Sequence, residues 1–213
     1  MCRRQERPEG EVEGGLCDYA QCYAHLREGD ADFAEVYLSR VKHTAETSEA
    51  QMRFHTAEDL LGVVAGVLEG ALHRERGDVD AAIPLLEQAL ALSPGLARAH
   101  FFLGTSLRTL GLYDEALTHL EAARQQYPRD RVVLNEIGGI QFRQRRFDDA
   151  VRTSEEVLQI DPEDMQAHYN LMLSHQGAGR SDDAARERAL YERFKADESA
   201  QVITGDFRRA SPE

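Results

Sequence analysis

A segment of 34 residues recurs along this chain without insertions, and that fixed ruler limits the fold more than any other feature. Aligned on Gly104, segment 97–130 (ARAHFFLGTSLRTLGLYDEALTHLEAARQQYPRD) is preceded by 63–96 and followed by 131–164 and 165–198. Each unit has room for two short helices. Units of this size cannot bury their apolar faces alone and must stack on their neighbours.

The matching positions are those a helical hairpin needs. Position 8, where two helices cross closely, reads Gly70, Gly104, Gly138 and Met172. Position 20, also required to be small, reads Ala82, Ala116, Ala150 and Ala184. Position 15 ends the first helix and calls for a residue tolerant of positive φ; it reads Gly77, Gly111, Arg145 and Gly179. Asp78, Asp114, Asp148 and Ser181 follow, placed to accept hydrogen bonds from free N–H groups at the start of the second helix. Leu103, Ile137 and Leu171 at position 7, with Leu86 and Leu120 at position 24, supply apolar bulk. Pro94, Pro128 and Pro162 at position 32 stop the second helix.

On these residues, 63–198 resembles the tetratricopeptide repeat family of bacterial type. The resemblance implies an all-α, right-handed α-α superhelix of four regular repeats. Segment 15–48 fits the template loosely as a degenerate N-terminal repeat, with Cys22 at position 8, Gly29 and Asp30 at 15–16, Ala34 at 20 and Leu38 at 24. The chain departs from the family at position 4, where an aromatic is expected and Gly66, His100, Leu134 and His168 stand. His100 and His168 read as half-buried packing residues.

Between the degenerate and regular units, 49–62 contains no proline and reads as a helical insertion. Ser48 and Gln51 form a candidate capping box, and one helix is expected from about Glu49 to Arg76, the alternative being a break at Gly62. Ala196 replaces the last proline, so the final helix is expected to run from Asp182 to about Thr204. Repeat and capping helix then span 165–204, and 205–213 is a flexible tail beyond Gly205. Segment 1–14, with almost nothing apolar, is expected to be disordered.

Composition narrows the function classes. A net charge of −13 argues against a phosphate-backbone binder and against docking on an anionic membrane surface. No apolar run is long enough to span a bilayer and none resembles a secretion signal, so a soluble chain is expected, cytoplasmic in preference to periplasmic. Abundant Ala, Arg, Asp and Glu suggest a GC-rich bacterial genome. Cys2, Cys17 and Cys22 are read as free thiols, because residues five apart on a helix face different ways.

Chemistry-bearing constellations are sparse. Asp18, Cys22 and His25 fall at i, i+4 and i+7, one helical face that could bind zinc, with Cys17 at its edge. Packing accounts for them better, since Cys22 holds the small-residue position. Acidic pairs such as Asp148–Asp149 and Asp182–Asp183 sit at helix starts, where they compensate the macrodipole. No HExxH, GxSxG, phosphate loop or CxxCH is present. No catalytic residue, cofactor or metal is therefore assigned, and the chain is read as no enzyme. Segment 191–213 is similar to the ends of tetratricopeptide regions attached to bacterial multihaem cytochrome-like proteins. That similarity, with Cys17, Cys22 and His25, supports the alternative of a metal- or haem-associated accessory subunit of an electron-transfer or periplasmic assembly.

In the family the resemblance points to, positions 2, 5, 9, 12 and 13 line a concave groove. Here those positions include Arg74, Glu75, Arg98, Phe101, Thr105, Arg108, Val132, Asn135, Phe142, Arg143 and Tyr169, with Asn170 beside them. Four arginines face one glutamate in that lining. This implies a protein or peptide partner, acidic and partly apolar, held by arginine forks and aromatic anchors. The residues of the carboxylate clamp that resembling chaperone-binding arrays use are replaced, in one frame, by Val67, Ala71, Phe102, Val132 and Glu136, so a chaperone-tail clamp is rejected.

Overall fold

The computed structural model describes residues 8–49, 51–52 and 55–210. Its contacts divide the chain into two compact units, Met1–Ala123 and Arg124–Glu213.

In the first unit, α1 (Pro8–Glu28) and α2 (Ala31–Thr47) form the degenerate hairpin. A short antiparallel ladder of β1 (Gln51–Met52) and β2 (His55–Thr56) leads into α3 (Ala57–Glu75), followed by α4 (Val79–Leu92) and α5 (Ala97–Thr109). Helix α6 (Tyr113–Gln126) closes the second regular hairpin. The second unit holds α7 (Arg131–Arg143), α8 (Phe147–Ile160), α9 (Met165–Gly177) and α10 (Ser181–Ala210). Within each unit packing is sequential and nested: α1 meets α2 and α3, α3 meets α4 and α5, α7 meets α8 and α9, and α9 meets α10.

The hairpins close where the two small positions meet. A Cβ added at Gly104 would stand 3.0 Å from the Ala116 carbonyl and 2.8 Å from Leu120. At Gly70 the same atom would lie 3.2 Å from the Ala82 carbonyl and 2.7 Å from Leu86. Ala82, Ala116 and Ala150 are fully buried. Gly138 has more room, because Ser154 stands where the earlier units carry leucine. In the last unit position 24 is Arg188, and Met172 fills the interior at position 8. Met172 is thus a volume compensation.

Each first helix ends in the same left-handed turn. Gly29, Gly77, Gly111 and Gly179 have φ between 76° and 81°, and Arg145 adopts 62° at the same position. The Asp78 N–H donates to the His73 carbonyl at 2.9 Å and the Gly77 N–H to the Arg74 carbonyl at 3.0 Å, the pair of bonds of a Schellman motif. Arg146 and Arg145 repeat that pair with Gln141 and Phe142. Arg145 therefore holds a conformation that costs a non-glycine residue about 1–2 kcal/mol.

Several expectations are corrected. Helix α1 begins at Pro8, inside the segment expected to be disordered, and Val12 is buried against Leu60. The stretch from Glu49 is not helical: the β ladder intervenes, α3 starts at Ala57, and Gly62 leaves that helix unbroken. Ser48 caps the C-terminus of α2, while the capping box is made by Thr56 and Asp59. Of the aspartates expected to cap second helices, Asp78 does so, whereas Asp114 and Asp148 lie within the first turn and act on the helix dipole. Helix α10 continues through Gly205 to Ala210, since one helical glycine costs only about 1 kcal/mol. Residues 1–7 and 211–213 lie outside the described residues.

The two position-4 rings, His100 and His168, tie their hairpins to the turn before. His100 places Nε2 2.9 Å from the Pro94 carbonyl and Nδ1 2.9 Å from Nδ1 of His119 at position 23. His168, itself buried and not half-buried, places Nε2 3.0 Å from the Pro162 carbonyl and Nδ1 2.7 Å from Glu187, again at position 23. Burial first, and the neighbouring His100 second, lower the affinity of His119 for a proton; Glu87 and Glu115 oppose this. The folded protein thus favours neutral His119, and the unfolded chain takes up the proton first as pH falls.

Three outcomes follow for stability. Gly104→Ala is expected to lower the urea midpoint by the equivalent of about 1–2 kcal/mol, because overpacking against backbone outweighs the helix propensity gained. Arg145→Gly is expected to raise it by about 0.5–1 kcal/mol, the relief of left-handed strain less the entropy glycine brings to the unfolded chain. Between pH 7 and pH 5 stability is expected to fall, and His119→Leu should flatten that fall; an unchanged slope in denaturant titrations would refute the assignment.

Candidate partner-binding surface

The two units hold their share of the candidate lining in different states. In the first unit the arginines are occupied. The Arg98 guanidinium lies 3.7 Å above the Tyr23 ring, and Arg74 pairs with Glu75 and lies 5.6 Å from the Phe102 ring. Tyr23 comes from α1 and meets Phe102 edge-on at 6.4 Å, so the degenerate hairpin covers part of this surface with its own aromatic ring. Arg108 is half-buried and already engaged. Phe101 is half-buried against Phe102. Thr105 is buried, its hydroxyl donating to the Phe102 carbonyl at 3.0 Å, and presents nothing outward.

In the second unit the picture reverses. Phe142, Arg143, Arg145, Phe147, Leu173, Gln176 and Gly177 line one open cavity of about 370 Å³. Its floor is aromatic, with the Phe142 and Phe147 rings 5.9 Å apart. Phe147 presses so close to Gly177 that a Cβ there would lie 2.4 Å from the ring. The guanidiniums of Arg143 and Arg145 are exposed, and neither makes an ion pair or side-chain hydrogen bond among the described residues. Arg146 differs, pairing with Asp149 at 2.7 Å.

The remaining lining residues of this unit are mixed. Asn135 donates from Nδ2 to Asp164 at 3.0 Å, while its buried Oδ1 has no partner. Asn170 is buried and donates to the Asn135 carbonyl at 3.2 Å, so it positions Asn135 and faces no partner. Val132 and Tyr169 are exposed, and the Tyr169 ring lies 5.4 Å from Tyr191. Arg145 and Phe147 were missed because they fall in the turn and at the next helix start, outside the first-helix positions the resemblance supplies. A cationic residue where glycine is the rule was the available signal.

The alternative metal constellation does not assemble. Cys22 is buried, its Sγ–H donates to the Ala34 carbonyl at 3.2 Å, and burial pushes its thiol up to about 11. His25 stacks between Phe33 and Tyr37, and Asp18 lies 3.8 Å from Arg40. Cys17 is disulfide-bonded, contrary to the free thiol expected of it, and Cys2 lies outside the described residues. Among the described residues no three His, Cys, Asp or Glu groups come together to hold a metal, and no helix is long and apolar enough to cross a membrane.

Family models described as tetratricopeptide repeat match residues 67–131 and 165–189. No curated sequence matches the chain. Among solved structures, one of MamA from AMB-1 is 21 % identical with a TM-score of 0.64, covering 84 % of this chain and 98 % of that one. A MamA RS-1 double mutant is 18 % identical with a TM-score of 0.65, covering 86 % and 96 %. A further MamA structure, 18 % identical with a TM-score of 0.63, covers 90 % and 96 %. At such identities the likeness shows the fold, an all-α superhelix of stacked hairpins. Spacing, the left-handed turns, the matched models and the fold agree, and the chain is a tetratricopeptide repeat protein.

Proposed function

We propose that this protein is a non-catalytic scaffold that captures an acidic, partly apolar peptide segment, with the anchor in the second unit. The observation that carries this reading is the pairing of two exposed, uncommitted guanidiniums, Arg143 and Arg145, with an apolar cavity floored by Phe142 and Phe147. A carboxylate on the partner would meet the arginines, whose planar forks suit it, while a neighbouring apolar side chain enters the cavity. Val132 and Tyr169 offer further exposed apolar surface in the same unit. The strain stored at Arg145 supports the same reading, because a glycine there would be more stable and would not carry the charge.

In the first unit, Arg98 and Arg74 serve the protein's own packing on Tyr23 and Phe102. Partner capture is therefore assigned to a subset of the arginines the repeat positions suggest. The chain contains no tryptophan, so a tryptophan-bearing peptide reports its own burial by fluorescence. An acetylated Asp-Glu-Trp-Asp-Glu amide is expected to bind saturably. Arg143→Glu combined with Arg145→Glu should weaken it by about tenfold or more with helicity intact. Equal binding by wild type and the double variant would dismiss the reading, as would undiminished capture of the native partner by that variant.

A further inference from the structure

We propose that the first unit carries a second docking pocket, on the outer side of α3, for an aromatic side chain flanked by lysines or arginines in a partner polypeptide. The pocket is a cavity of about 370 Å³ between α2, α3 and α4. Gly62, Gly66, Leu85 and Ala89 form its walls, and Leu92, which is 67 % exposed, stands at its edge. On α3 these residues lie roughly opposite Val64, Val67 and Ala71, the side assigned to the lining discussed above.

Internal comparison of the repeats explains the pocket. Where position 4 is histidine, the ring sits inside its hairpin and meets the residue at position 23: His100 with His119, and His168 with Glu187. In 63–96, position 4 is Gly66 and position 23 is Leu85, and both line this cavity. The backbone does not close in to take up the space. A Cβ on Gly66 would find only the Leu85 carbonyl at 3.8 Å and the Ala89 Cβ at 4.0 Å, ordinary contacts, whereas at Gly70 one turn later it would collide. The hairpin thus keeps a ring-sized apolar space that its own sequence does not fill.

The rim decides the kind of ring that enters. Glu46, Glu58 and Glu69 surround the opening, and Lys42 neutralises one of them through its bond to Glu69 at 2.6 Å. Two carboxylates, Glu46 and Glu58, are left exposed at the mouth. Apolar walls select an aromatic side chain, and this charge selects cationic neighbours on the same segment. The preference is opposite to that of the Arg143 and Arg145 cavity, so the two sites sort different segments.

The test uses the full chain and two substitutions at Gly66. Gly66→Ala raises helix propensity without filling the space, while Gly66→Phe supplies the missing ring from within. An acetylated Lys-Lys-Trp-Lys-Lys amide is expected to bind with a saturable change in tryptophan fluorescence. Gly66→Ala should keep this binding, Gly66→Phe should weaken it by about tenfold or more while raising the melting temperature above that of Gly66→Ala, and Glu46→Lys with Glu58→Lys should weaken it similarly. Arg143→Ala with Arg145→Ala, which removes the guanidiniums without adding carboxylates beside the Phe142 and Phe147 cavity, should leave it unchanged, which separates this site from the proposed function. Retained binding by Gly66→Phe would overturn the proposal. So would equal binding of the alanine peptide Lys-Lys-Ala-Lys-Lys, which would mark charge attraction alone, or of tryptamine, which would mark a small-amine site.

Discussion

The close passage of paired helices, glycine against the carbonyl of alanine, is the contact from which the hairpins of 63–96 and 97–130 are built. With 3.0 Å between a would-be Cβ at Gly104 and the Ala116 carbonyl, the two helices stand as near as their backbones permit. In both hairpins a leucine at position 24, Leu86 or Leu120, folds over the glycine. The small residue at position 20, repeated every 34 residues as Ala82, Ala116, Ala150 and Ala184, makes one helix pair the template for the next. The positive-φ turn does the remaining work by reversing the chain with its carbonyls already satisfied.

Both proposed sites lie where the chain departs from this template. Arg145 accepts left-handed strain and puts a charge where glycine would put none. Gly66 forgoes the ring that His100 and His168 supply at position 4 of their hairpins, and a cavity follows. Neither change helps the fold, so each is where a binding role has room to act. The arginines of the first unit show the converse. Arg98 and Arg74 look alike on paper to Arg143, yet aromatic rings from their own unit have claimed them.

Much of the architecture was legible because its causes are local and periodic. The small positions, the turn glycines and the helix-stopping prolines each act within one hairpin, and a 34-residue register exposes them by repetition. Where a feature depended on a partner distant in sequence, the reading failed. Val12, in the segment expected to be disordered, is buried against Leu60, and the β ladder ahead of α3 has no repeat to compare against. The candidate site was half legible: Phe142 and Arg143 fell at lining positions, while Thr105 was placed there by register, with Asn170 beside the lining, although their polar groups turn inward.

The sequence by itself determined that this chain builds paired helices on a common ruler, because spacing, glycine and proline act on the backbone directly. Only the tertiary structure decided which arginines are spent and which are free, and where apolar space remains open. A guanidinium's availability depends on which rings and carboxylates lie within a few ångströms of it, and those neighbours are brought from separate helices by packing, not by spacing along the chain.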